Sequence, residues 1–149
     1  MRAVVQRVTQ ASVTVDGKTI NRIGCGLLVY AGIHHNDTQK DIDYITNKII
    51  HLRVFPDCSG KMNRSILETK GQIMVVSQFT LYGDVRRGRR PTYHESANAE
   101  HAAEYINTLI ESLQQYCPEV YSGIFQAHMM IDSCNDGPVT ILLDSAKQF

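Results

Sequence analysis

The stretch Gln72-Ile73-Met74-Val75-Val76-Ser77-Gln78-Phe79-Thr80-Leu81-Tyr82 decides how the chain is read. Up to Val76 it is continuous, apolar and rich in β-branched residues, the pattern of a buried strand, and Gly71 breaks the chain just before it. Three uncharged polar residues, Ser77, Gln78 and Thr80, then interrupt the run beside Phe79 and Leu81. On a continuing strand Gln78 and Thr80 would share one face, and Ser77, Phe79 and Leu81 the other. Polar side chains entering a core strand need partners, or are kept for a ligand. An ordinary strand end with locally satisfied hydroxyls also fits this stretch taken alone.

Outward from that strand the pattern is mixed. Residues 2–8 and Ala11 to Val15 read as strands, the second closing at Asp16-Gly17, a strong hairpin signal. Lys18 to Ile23 forms a third strand, and Leu27 to Ile33 is a continuous apolar run, a central strand. Thr38-Gln39-Lys40-Asp41 resembles a capping box and opens a helix with the apolar stripe Ile42, Ile45, Ile49 and Leu52. A second helix from about Asn98 to Tyr116 buries Ala102, Ile106, Leu109, Ile110 and Leu113, and Pro118 stops it. The tail predicts two strands, about 120–131 and 139–143, joined by the segment Asp132 to Pro138. This order predicts one α+β domain over residues 1–149: a curved, largely antiparallel, barrel-like sheet with two helices. A Rossmann unit is disfavoured, because no strand–helix turn carries the Gly-rich phosphate pattern.

Composition bounds the function. The 149 residues are 43% hydrophobic and 20% charged, the balance of a soluble globular domain. Fifteen basic and fifteen acidic residues cancel, so a nucleic-acid partner would have to be met by a local patch. One dense charge block exists, Arg86, Arg87, Arg89 and Arg90 on the glycine-interrupted loop Gly83 to Pro91. It reads either as a solvated loop or as a phosphate-binding patch, since guanidinium forks suit phosphate oxygens. No signal-peptide pattern opens the chain and no apolar run reaches membrane-span length, so the expected setting is cytoplasmic, without a membrane partner. Cys25, Cys58, Cys117 and Cys134 lack metal-ligand spacing and read as free thiols, Cys134 as a small buried residue. Adjacent His34 and His35 are expected to diverge, and His94 and His101 to be a surface pair. No metal and no cofactor is expected. Hydrolase elbows, zinc-protease helices and phosphate loops are missing.

What remains are two polar patches, Ser77-Gln78-Phe79-Thr80 and Asn135-Asp136-Gly137-Pro138-Val139-Thr140. With the start Met1 to Val8, Leu52 to Phe55, Gly60 to Asn63 and Arg89 to Pro91, they closely resemble the D-aminoacyl-tRNA deacylases. The resemblance runs from residue 1 to about Ser145. It implies an ester hydrolase that removes D-amino acids, and glycine, from tRNA while rejecting L-aminoacyl-tRNA. It also implies a homodimer with its active sites at the subunit interface. The family's catalytic motif falls on Ser77, Gln78, Phe79 and Thr80. Its chirality-selecting loop falls on Gly137 and Pro138, expected to be joined by a cis bond, with Arg7 and Asn135 in support. Phe125, Gln126, Ala127 and Met129 are the implied substrate pocket, and Arg86, Arg87, Arg89 and Arg90 the implied contacts to tRNA phosphates.

Physical reasoning accommodates this division. The substrate ester is already activated, and nothing in Ser77–Thr80 titrates near neutral pH. Backbone N–H groups of Phe79 and Thr80 holding the oxyanion, with help from the ribose 2′-hydroxyl, are therefore an attractive scheme; Thr80 as nucleophile is the other. Two departures from the family pattern stand out: Gln126, where a second glycine is usual after Phe125, and Ser133-Cys134, where apolar residues are common. The alternative function is an RNA-binding module without catalysis.

Overall fold

The computed structural model describes residues 1–149. Its frame is a six-stranded sheet built on β1 (Arg2–Val15), which pairs antiparallel with β2 (Lys18–Ile23), β3 (Gly26–Gly32) and β8 (Met130–Asp144). β3 continues the sheet through parallel pairing to β6 (Gln72–Ser77), and β6 to β7 (Val120–Ser122). The parallel half follows from the two long helices, because parallel neighbours need a crossover connection. α1 (Gln39–His51) lies in the β3–β6 connection and α3 (Ala99–Gln114) in the β6–β7 connection. Curvature brings the two ends of the sheet together, where Asn21 Nδ2 on β2 donates to the Ser122 carbonyl on β7 at 2.6 Å. The result is a nearly closed, mixed barrel.

The strands predicted at 2–8 and 11–15 are one strand, β1, with register shifts around Val8. These shifts matter because side-chain direction alternates along a strand. Met1, Ala3 and Val5 face the cluster under α1 and α3, with Leu27, Val29, Ile45, Ile49 and Leu109. Beyond the bulge, Ala11 and Val13 face the second cluster with Ile23, Leu28, Met74 and Val76. One strand thus serves two cores. The Asp16-Gly17 turn has positive φ at both residues, 49° and 75°, as a two-residue hairpin requires.

Thr38 caps α1 through the predicted box, its N–H donating to Asp41 Oδ2 at 2.8 Å. Asn98 caps α3 by accepting from the His101 N–H at 2.9 Å. Beside these two helices stands a one-turn helix, α2 (Ile66–Thr69), with its own box between Ser65 and Glu68. A small hairpin, β4 (Phe55–Pro56) with β5 (Met62–Arg64), precedes it.

The tail differs from the prediction. Strand β7 ends at Ser122, residues 123–129 form a loop, and β8 runs through the segment read as a connection. Gln6 pairs with Thr140 and Val8 with Asn135, so Asp136 to Val139 bulge out opposite Arg7 alone. Cys134, expected to be buried, is exposed on this strand. The strand pairs only with β1, which leaves its outer edge and much of its surface uncovered. No helix is long and apolar enough to cross a membrane.

Candidate active site

Strand β6 does not continue into Gln78. The chain turns at Gln78 into a 3-10 turn over Phe79–Tyr82, held by Leu81 N–H to the Gln78 carbonyl at 3.3 Å and Gly83 N–H to the Thr80 carbonyl at 2.9 Å. Gln78 N–H is tied to the Ala31 carbonyl at 2.7 Å, which anchors the turn to the end of β3. Gly32 permits this approach, since a Cβ there would meet the Gln78 carbonyl oxygen at 2.8 Å. The first N–H groups of a helical turn have no partner inside it. Here those groups belong to Phe79 and Thr80, the pair named from the sequence as oxyanion donors. Gln78 Nε2 donates to Thr80 Oγ1, so the threonine oxygen faces a donor, not a base.

The turn borders an apolar cavity of about 620 Å³ at the carboxyl ends of the three parallel strands, the place where open α/β sheets present ligand crevices. Ala31, Ile33 and Val76 form its floor, and Ala99, Ala102 and Ile106 of α3 one wall. Ser77, Gln78 and Phe79 line it from one side, and Phe125, Gln126, Ala127 and Met129 from the other. The fold brings these two sets to one cavity, but Thr80 is not among its lining residues. Tyr93 and His128 also line it, and sequence reasoning had passed over both. Tyr93 meets Phe79 edge-on, with ring centroids 4.9 Å apart. Only the fold places it there, because the intervening loop carries no apolar periodicity.

That loop is the arginine block. Asp84 and Thr92 pinch its base with two backbone hydrogen bonds of 2.8 and 3.0 Å, directly beside Tyr93. Arg86 is already paired, its Nη2 2.8 Å from Asp84 Oδ2, which holds the Asp84 carboxyl well below the usual carboxylate range. Arg87, Arg89 and Arg90 are exposed and make no ion pair within the chain.

Gly137 and Pro138 do not line the cavity. They sit at the tip of the β8 bulge, joined by the expected cis bond and both exposed. Arg7 is buried beneath them: its Nη1 donates to the Val54 carbonyl, and its Nε lies 2.8 Å from Asp136 Oδ2. Asn135 closes the neck, accepting from the Val139 N–H and donating to Thr140 Oγ1, both at 3.0 Å. Gly137 has φ of 124°, and a Cβ there would meet Val139 at 2.8 Å and Arg7 Nη2 at 3.2 Å. Arg7 pairs with Leu27, Leu27 with Ile73, and Ser77 lies four residues beyond Ile73. Three strand spacings and four residue rises put bulge and turn roughly 20 Å apart along one sheet.

His34 and His35 do not diverge. Their rings stack at 4.2 Å, and His34 Nε2 is 2.7 Å and His35 Nε2 4.0 Å from Glu95 Oε2. The backbone bridge from His34 to Ser96 gathers the three residues. His34 Nδ1 accepts the Asn36 N–H at 3.0 Å, which assigns the neutral ring's proton to Nε2, where it serves Glu95. That tautomer offers no lone pair to a metal at Nε2. His101 stacks on Tyr105 within α3.

An apolar cavity at parallel strand ends, met by an uncharged polar turn, places the candidate site of this small α+β protein. A family model described as D-Tyr-tRNA(Tyr) deacylase matches residues 4–144, and the chain belongs to that family. It is 52% identical over 149 residues to the D-aminoacyl-tRNA deacylase of Kosmotoga olearia, covering all of both chains. It is 53% identical over 150 residues to that of Thermosipho melanesiensis, again with full coverage of both. The solved structure of the c-Myc DNA Unwinding Element Binding Protein superposes with a TM-score of 0.93 at 45% identity, over 97% of this chain and 98% of that one. A probable eukaryotic D-amino acid tRNA deacylase shares the fold, with a TM-score of 0.82 at 18% identity over 95% of this chain and 97% of its own.

Proposed function

We propose that this protein hydrolyses the ester of D-aminoacyl-tRNA, releasing the D-amino acid and free tRNA in the cytoplasm. The observation that carries this reading is the turn at Phe79–Thr80, which enters the cavity lining at Phe79 and carries its two leading N–H groups there. The carbonyl carbon of the ester is attacked by water. The carbonyl oxygen takes up negative charge held by the Phe79 and Thr80 N–H groups, and the ribose 3′-oxygen leaves with a proton. The neighbouring 2′-hydroxyl positions the water. Thr80 Oγ, facing the Gln78 amide, has no base to activate it as a nucleophile.

Selectivity resides in Gly137 and Pro138, acting in the site of a partner subunit. Their distance from the turn within one chain, and the uncovered edge of β8 with exposed Met130 and Leu142, support a homodimer. Backbone carbonyls at the bulge tip meet an L side chain and leave a D side chain free, so achiral glycine also passes. Arg7 and Asn135 hold the bulge in shape. Arg87, Arg89 and Arg90, with Arg86 in a lesser part, contact tRNA phosphates. Phe125, Gln126, Ala127 and Met129 hold the terminal nucleoside and amino acid.

Incubation with matched D- and L-tyrosyl-tRNA tests the reading. Release of D-tyrosine with L-tyrosyl-tRNA left intact is expected. Retention of tRNA without release would identify an RNA-binding module instead.

A further inference from the structure

Four non-glycine residues have positive φ: Asp16, Lys70, Gln126 and Lys147. Asp16 lies in a hairpin turn, Lys70 at the left-handed cap of α2, and Lys147 in a turn of the tail. Gln126 lies on the cavity wall. Ala127 N–H donates to the Ile124 carbonyl at 3.2 Å, so residues 124–127 form a four-residue turn. Gln126, at φ 62°, takes its third position. A type II turn has positive φ there and selects glycine or asparagine. Glutamine bears a steric cost at this position that glycine would not. Its carboxamide makes no hydrogen bond within the chain and is exposed at the rim of a mainly apolar cavity, whereas the Gln78 carboxamide is already engaged with Thr80.

Resting on the function proposed above, we infer that the Gln126 carboxamide reads the polar edge of the terminal adenine of the tRNA. The relatives are named for D-aminoacyl-tRNA without one amino acid, and across such substrates a fixed amide has no constant partner among the side chains. The terminal adenine is constant. Its faces are apolar and suit the Ala31, Ile33, Ala102 and Ile106 surfaces, while its edge sets an amino donor beside a ring-nitrogen acceptor. A carboxamide matches that pair with one acceptor and one donor. Gln126 is thereby a specificity residue for the 3′-terminal base, separate from the chemistry at Phe79–Thr80 and from the selection of chirality.

The test compares D-tyrosyl-tRNA ending in adenosine with D-tyrosyl-tRNA ending in purine riboside, which lacks the amino group. The parent enzyme is expected to favour adenosine in kcat/KM by about tenfold or more. Gln126→Gly should abolish this preference by raising KM for the adenosine substrate, with kcat retained and Tm no lower than the parent's. Gln126→Asn, tolerant of positive φ and still an amide, should keep part of the preference. A parent enzyme that releases D-tyrosine from both substrates equally, or a Gln126→Gly enzyme that keeps the full preference, overturns the role of Gln126 and leaves the deacylase reading standing. Release from neither substrate fells the deacylase reading, and this inference with it.

Discussion

The Phe79–Tyr82 turn and the Asp136–Val139 bulge are both short irregular interruptions at strands, yet they are built differently. The turn is anchored to its own sheet by Gln78 on Ala31 and borders a cavity lined by its own chain. The bulge is braced from below by Arg7 and Asn135, and its tip does not line that cavity. A segment held so firmly, yet outside that cavity, fits the part proposed for it in a partner's site. On that proposal the turn acts within its own chain and the bulge acts across an interface.

The largest expected effect separates the turn's backbone from its side chain. Phe79→Pro removes one N–H at the first position of the turn, where proline is tolerated. It should lower kcat by about 100- to 1000-fold, whereas Phe79→Ala, which keeps the N–H, should lose far less. Equal losses would show that the phenyl ring, not the donor, matters. Mixing Phe79→Pro chains in equal amount with Gly137→Ala chains, which should hydrolyse L-tyrosyl-tRNA, then tests the division directly. If turn and bulge come from different subunits, random exchange pairs half of the working turns with an intact bulge, and L-tyrosyl-tRNA hydrolysis per Gly137→Ala chain falls to roughly half. No fall after exchange would place both elements of a site in one chain.

Arg7→Ala comes next. It leaves the Val54 carbonyl and Asp136 without their cation, and because Asp136 is partly exposed the loss should be about 2–3 kcal/mol in urea unfolding. Hydrolysis of L-tyrosyl-tRNA should rise as the bulge loosens. A stable variant with unchanged D/L selectivity would deny the bracing role.

Smaller effects belong to the arginine loop. Replacing Arg87, Arg89 and Arg90 by Ala should weaken tRNA binding and reduce the log Kd against log salt slope by roughly 2–3, with turnover at saturating tRNA little altered. Adding Arg86→Ala should change the slope less than any of the others, since Asp84 already neutralises it. Four equal contributions would argue against that pairing in solution. Smallest of all, Thr80→Ser and Thr80→Ala should retain activity within about tenfold of the parent, the serine more than the alanine. Trapping of an acyl-enzyme on Thr80 would replace water with the threonine as nucleophile.

Local rules sufficed for much of this molecule. The capping box at Thr38, the apolar stripes of α1 and α3, the Asp16-Gly17 hairpin and the buried run into Val76 are each set by residues within a few positions of one another. The polar motif at Ser77–Thr80 stood out because uncharged polar residues interrupt an apolar strand, and Asn135–Thr140 stood out through the family resemblance. Tertiary structure decided the rest. That β1 is one strand serving two cores depends on bulges set by its pairing with β8, more than a hundred residues away. That Asp136–Val139 lies within a strand, and not in a connection, depends on the same pairing. The stacking of His34 on His35 follows from a backbone bridge to Ser96 that no spacing announces. The approach of Tyr93 to Phe79 follows from the pinch between Asp84 and Thr92. Pattern along a chain reports which faces want burial; it does not report which distant segment will supply the cover, and at this site that supply is what turns a strand end into a cavity mouth.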